Sequence, residues 1–85
     1  MPRTLQLSDA RQSYVEGCRL IRGADREGAL MVMVPLARWD RLMAESGREV
    51  SAATLKVRRL LSNLDRTKLQ RTTGDGRRII VVPDL

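Results

Sequence analysis

The spacing of apolar residues changes several times along the chain, and each change predicts an element. Tyr14, Cys18 and Ile21 recur at i, i+4 and i+7 with Val15 beside them, the stripe of an amphipathic helix over about residues 9–22. Ser8 suits its N-cap, Asp9 its first turn and Gly23 its C′ stop. Gly17 inside that helix costs about 1 kcal/mol relative to Ala. A polar turn, Asp25-Arg26-Glu27-Gly28, then leads to the unbroken apolar run Ala29 to Val34, whose length and flanking Gly and Pro favour a buried strand.

Helical spacing returns at Pro35, placed as the first residue of a helix over 35–46 with Leu36, Trp39, Leu42 and Met43 on its apolar side and Ser46-Gly47 at its end. A third helix is predicted over 52–66. Ser51 is its expected N-cap, Val50 and Leu55 its hydrophobic staple, and Val57, Leu60, Leu61 and Leu64 its buried stripe. Ala52, Lys56, Arg59 and Asn63 form one row on the other side, flanked by Arg58, Ser62 and Arg66. The period then shortens. Residues 68–73 and the β-prone run 77–82 flank Gly74-Asp75-Gly76, which predicts a hairpin with a glycine turn, ended by Pro83.

This order, helix, strand, helix, helix, strand, strand, predicts an α+β winged helix-turn-helix occupying 1–85 as a single domain. The turn around Gly47-Arg48-Glu49-Val50 joins the two central helices. The hairpin would be the wing, and strand 29–34 would cover its edge to complete a three-stranded antiparallel sheet.

Charge sharpens the picture. Of a net +6, residues 1–47 carry +1, residues 48–78 carry +6 from nine Lys/Arg against three acids, and residues 79–85 carry −1. A basic helix followed by a basic hairpin attracts a polyanion. Arg59 and Asn63 have the chemistry to read base edges, and Ser51, Thr54, Lys56 and Arg58 suit the start and flank of a phosphate-contacting helix. Arg71, Arg77 and Arg78 would follow the backbone or enter a minor groove as wing residues.

Ser51-Ala52-Ala53-Thr54-Leu55, then Val57 through Asp65, Leu69-Gln70-Arg71 and Gly74-Asp75-Gly76-Arg77-Arg78-Ile79-Ile80-Val81 resemble, over about 35 residues, the recognition helix and wing of MarR-type winged-helix regulators, with Asp75-Gly76-Arg77-Arg78 at the wing tip. The resemblance implies a small bacterial, phage or mobile-element transcription regulator binding double-stranded DNA. The chain is too short for that family's terminal dimerisation helices, and Thr67-Lys68 stands where a glycine is usual.

Other classes are narrowed by what the chain contains. It has no His, one Cys and no glycine-rich phosphate loop between strand and helix, so neither an enzyme, a metal site nor a cofactor is expected. No apolar run approaches the roughly 20 residues of a membrane span, no secretory h-region opens the chain, and a lone cysteine suits the reducing cytoplasm. Trp39 reads as a core anchor, Cys18 as a small buried hydrophobe, and two aromatic residues are too few for single-strand stacking. Two alternatives stay open beside DNA. One is a protein-interaction module, an antiactivator or inhibitor gripping a regulator protein; the other is a structural piece of a ribonucleoprotein. Met31 and Met33 are either core fillers or part of a sticky surface if their strand is only partly covered. A chain this short leaves room for a homodimer, for which Tyr14 and Val15 of the first helix are the named candidates.

Overall fold

Two tight turns build the N-terminal half as strands. The computed structural model describes residues 5–8, 13–64 and 66–83, with the backbone alone for Arg66 and Thr67. Glu16 (φ 50°) and Gly17 (φ 75°) both lie in the left-handed region. They form a two-residue loop between β2 (Ser13–Val15) and β3 (Cys18–Asp25), in which Val15 pairs with Cys18. Positive φ at both loop positions matches the right-handed strand twist, which is why X-Gly is favoured there. β3 turns at Arg26-Glu27 into β4 (Gly28–Pro35), paired antiparallel from Asp25↔Gly28 to Cys18↔Pro35. The Glu27 amide donates to Asp25 Oδ1 at 2.9 Å and fixes that turn.

The helix expected over 9–22 is therefore replaced, over its described residues, by β2 and β3. Residues 9–12, including its expected first-turn Asp9, lie outside the described residues. Gly23 is not a helix stop. It sits in β3 opposite Leu7 of β1 (Gln6–Leu7), where a Cβ would fall 2.7 Å from Leu7 Cδ2 and 2.8 Å from the Gln6 carbonyl oxygen. β1 can approach β3 there because the side chain is missing.

Pro35 caps α1 (Leu36–Glu45), and α2 (Val50–Ser62) follows, then a single turn α3 (Arg66–Leu69). β5 (Gln70–Thr72) and β6 (Arg78–Val81) form the expected hairpin. β6 does not stop at the hairpin, however. It pairs parallel with β4, Met31↔Ile79, Val32↔Ile80 and Met33↔Val81, and the strand order becomes β1-β3-β4-β6-β5 with β2 also on β3. The three-helix winged helix with a three-stranded antiparallel sheet is thus corrected to two main helices on a six-stranded mixed sheet. A parallel pair needs a long crossover, and α1 and α2 supply it.

All the helices lie on one side. Ile21, Leu30, Val32, Val34, Ile80 and Val82 point from the sheet into a core with Trp39, Ala53, Val57 and Leu61. Arg19 shares that face, fully buried, its guanidinium 5.0 Å from the centroid of Trp39 and 5.7 Å from that of Tyr14. Tyr14 and Val15 belong to β2, not to a helix, and at 50% and 46% exposure they point to opposite faces of the sheet.

Arg78 fastens β6 to the β3–β4 turn. Its Nη2 donates to Asp25 Oδ1 at 2.8 Å and to the Gly28 carbonyl at 2.7 Å, and its Nη1 to Asp25 Oδ2 at 3.1 Å. This bidentate pair is nearly buried, 14% and 13% exposed at the two side chains. Replacing Arg78 by Met should lower unfolding free energy in urea by about 2–3 kcal/mol, because the nearly buried Asp25 carboxylate loses a bidentate charged donor. A double change of Arg78 to Met and Asp25 to Asn should recover part of that loss, and a loss under about 0.5 kcal/mol would contradict the clamp.

Candidate nucleic-acid interface

A helix C-cap and a tight turn aim α2 outward. Gly47 (φ 62°) stands at C′ of α1, and the Arg48 amide donates to the Met43 carbonyl at 2.8 Å, closing a Schellman motif. Arg48 itself adopts φ 62°, an uncommon conformation for a side-chain-bearing residue. The chain reverses in four residues, so α2 packs back on α1 and also against β1. Its N-cap is Glu49, not Ser51. Ser51 lies inside the first turn, and Leu55 is 39% exposed, so the expected staple across Ser51 is not formed.

The nine expected DNA contacts separate into three groups. Ser51, Arg58, Arg59 and Asn63 lie along one outward side of α2, at i, i+7, i+8 and i+12, with Ser51, Arg59 and Asn63 exposed and Arg58 half-buried. α2 ends at Ser62, four residues short of the expectation. Asn63 is its C-cap, and its amide donates to the Leu60 and Leu61 carbonyls. Among the described residues neither Arg58 nor Arg59 has a carboxylate partner, and Ser62 Oγ donates to the Arg58 carbonyl at 3.0 Å.

The second group is already engaged inside the fold. Thr54 is buried against the core with its Oγ1 unpartnered among the described residues, so it offers nothing to a phosphate. Lys56 Nζ donates to the Glu45 carbonyl at 3.1 Å and stands 3.8 Å from Glu45 Oε1, tying α2 to the last turn of α1. Arg78 is the clamp described above. Its hydrogen bond to Asp25 raises its pKa further above the ordinary guanidinium value, which keeps it charged.

The third group points elsewhere. Arg71 faces Ile79 across β5 and β6, on the side of the sheet away from the helices. Arg77 is exposed at the hairpin tip and pairs with Asp75, Nε to Oδ2, at 3.2 Å, a solvated contact worth little. Asp75 accepts from Thr73 Oγ1, which holds its carboxyl below the ordinary range, with Arg77 acting in the same direction. Because β6 lies between β4 and β5, the hairpin is part of the sheet and only its tip is free. It is not a wing beside α2.

Two features escaped the expected set. Arg48 stands exposed at the entry to α2, brought there by its positive φ, which no residue pattern announces. The helix-free face of the sheet carries Cys18, Leu20, Met31, Met33, Ile79 and Val81, all half-buried and none in the core cluster. Its signal was present in the unbroken apolar runs of β4 and β6, which lack the alternation of strands covered on one side only.

Among the described residues there is no cluster of metal-ligating side chains, and no helix is long and apolar enough to cross a membrane. Comparison with protein-family models, with curated proteins and with solved structures finds no match for this chain in any of the three. The winged-helix fold implied by the MarR-type resemblance is not the one formed.

Thr54 gives a clean check on this division of α2. Changing it to Val keeps its shape and removes a buried unpaired hydroxyl, so thermal stability should stay within about 0.5 kcal/mol or rise. A loss of more than about 1 kcal/mol in calorimetry would place the hydroxyl in a working contact instead.

Proposed function

We propose that the protein is a small double-stranded DNA-binding regulator that presents the outward side of α2 to the duplex. The observation that carries this reading is the placement of Ser51, Arg58, Arg59 and Asn63 on the outward side of α2, whose other side packs in the core, in a chain of net charge +6 with Arg48 at the helix entry. An α-helix fits the major groove, where Arg reads guanine O6 and N7 and Asn reads adenine N6 and N7. Arg59 and Asn63 take those roles here. Arg58, Arg48 and Ser51 serve the flanking phosphates, and their neutralisation releases counterions.

The proposal differs from a winged helix in having no second basic arm. Affinity rests on α2 and its entry turn, so a modest number of phosphate contacts is expected and a correspondingly shallow salt dependence. A reducing cytoplasm suits such a protein, with Cys18 kept as a thiol.

Fluorescence anisotropy with a mixed pool of labelled duplexes at several salt concentrations tests the reading. Changing both Arg58 and Arg59 to Ala should weaken binding at least about 10-fold and reduce the salt slope by about 1–2 units. Changing Arg71 to Ala, on the far side of the sheet, should leave affinity within about 2-fold. Equal affinity of the parent and the Arg58/Arg59 double variant would overturn the proposal.

A further inference from the structure

The sheet is apolar on the side that none of its helices covers. Strand register arranges that face into rows. Val15, Cys18 and Pro35 make the first; Ser13, Leu20, Met33 and Val81 the second; Arg22, Met31, Ile79 and Arg71 the third. An antiparallel sheet with one solvated face normally carries polar residues there, and strands apolar on both sides are those buried on both sides. β4 and β6 have that second character, and their outward side chains Met31, Met33, Ile79 and Val81 are half-buried, outside the core that the helices cover. A contiguous patch of this kind on a small domain marks a contact surface.

The third row states what fits. Arg22 and Arg71, both exposed, stand at its two ends with Met31 and Ile79 between them. Three interstrand gaps separate them, about 14 Å. An α-helix with its side chains is about 10–12 Å across, so a helix laid along β4 and β6 passes between the two guanidinium groups. Successive rows are about 6.7 Å apart along a strand, close to the roughly 6 Å rise of a helix from i to i+4. No carboxylate lies in these rows. A second copy of this chain would bring its own Arg22 and Arg71 and a net +6, so charge complementarity selects an acidic occupant.

We infer that this face docks an amphipathic helix of a partner protein, its apolar stripe on Leu20, Met31, Met33, Ile79 and Val81 and acidic residues along both flanks meeting Arg22 and Arg71. The flexible thioethers of Met31 and Met33 adapt to the partner's side chains, as in other helix-binding surfaces. The covered sheet then has helices on both sides, the arrangement for which strands β4 and β6 are patterned. This surface is separate from the outward side of α2, so one chain can hold DNA and a partner helix together.

The test uses the full chain with methyl-labelled methionine and two synthetic 18-residue helical peptides. Both carry the same leucine stripe; one has glutamate on both flanks, the other lysine. The glutamate peptide should bind with a micromolar dissociation constant and shift the Met31 and Met33 methyl signals while Met43, on α1 at the other side of the sheet, stays in place. The lysine peptide should bind at least 10-fold more weakly. Charge reversal of both exposed arginines, Arg22→Glu with Arg71→Glu, should invert that preference without altering the circular dichroism spectrum. Equal binding of the two peptides, or glutamate-dependent shifts confined to α2, would overturn the proposal. So would concentration-dependent dimerisation of the free chain that shifts the same two methyls, since the occupant would then be a second copy. Duplex DNA that shifts these methyls would overturn it as well, by assigning the face to nucleic acid.

Discussion

The parallel pairing of β6 with β4 is the constraint on which the rest of the structure depends. It sets one strand of the β5–β6 hairpin inside the sheet beside β4, closing a loop of more than forty residues whose ends must meet in register. Such closure costs chain entropy before any contact is made. Burial of Ile80 and Val82 against Val32 and the helices offsets that cost, and the Arg78–Asp25 clamp fixes which end of β6 lies beside the β3–β4 turn. α1 and α2 are then the crossover, and the helix layer has only one side of the sheet on which to lie.

The same pairing decides where the charge goes. A basic stretch that is continuous along the chain becomes, in three dimensions, a clamp inside the fold, a pair at a hairpin tip, an arginine on the far side of the sheet and a short row on α2. Charge clustered in sequence therefore overstates charge clustered in space. What it leaves on the surface is two chemically different faces, a cationic helix side and an apolar sheet face edged by two arginines.

Much of the local structure was legible from residues 25 to 82. The polar turn before β4, the helix start at Pro35, the Ser46-Gly47 stop, the apolar side of α2 and the glycine hairpin each follow from spacing or turn chemistry. The residues before 25 were not. In β3 the side chains facing the helices are Arg19, Ile21, Gly23 and Asp25, only one of them apolar, so the two-residue period is hidden, and the chance spacing of Tyr14, Cys18 and Ile21 imitates a helix. Glu16-Gly17 is the contrary signal, an X-Gly pair that forms a hairpin loop where a helix interior is expected. The winged-helix assignment failed for a different reason. Periodicity identifies strands but carries no information on the direction in which distant strands pair, and adjacency suggested antiparallel where the crossover makes parallel possible. Of the candidate site, side-chain type was readable and partnership was not: nothing near Lys56 or Arg78 in the chain foretells Glu45 or Asp25, whereas Thr54, three residues before Val57 and seven before Leu61, stood on the buried stripe all along.

Interstrand backbone NOEs between β4 and β6 test the central claim most directly, because pairing direction separates this fold from a winged helix without reference to function. The parallel register requires contacts that ascend together on both strands, Met31 with Ile79 and Met33 with Val81. Contacts in descending order, Met31 with Val81 and Met33 with Ile79, would mark an antiparallel sheet and contradict the clamp, the crossover and the two-sided strands together.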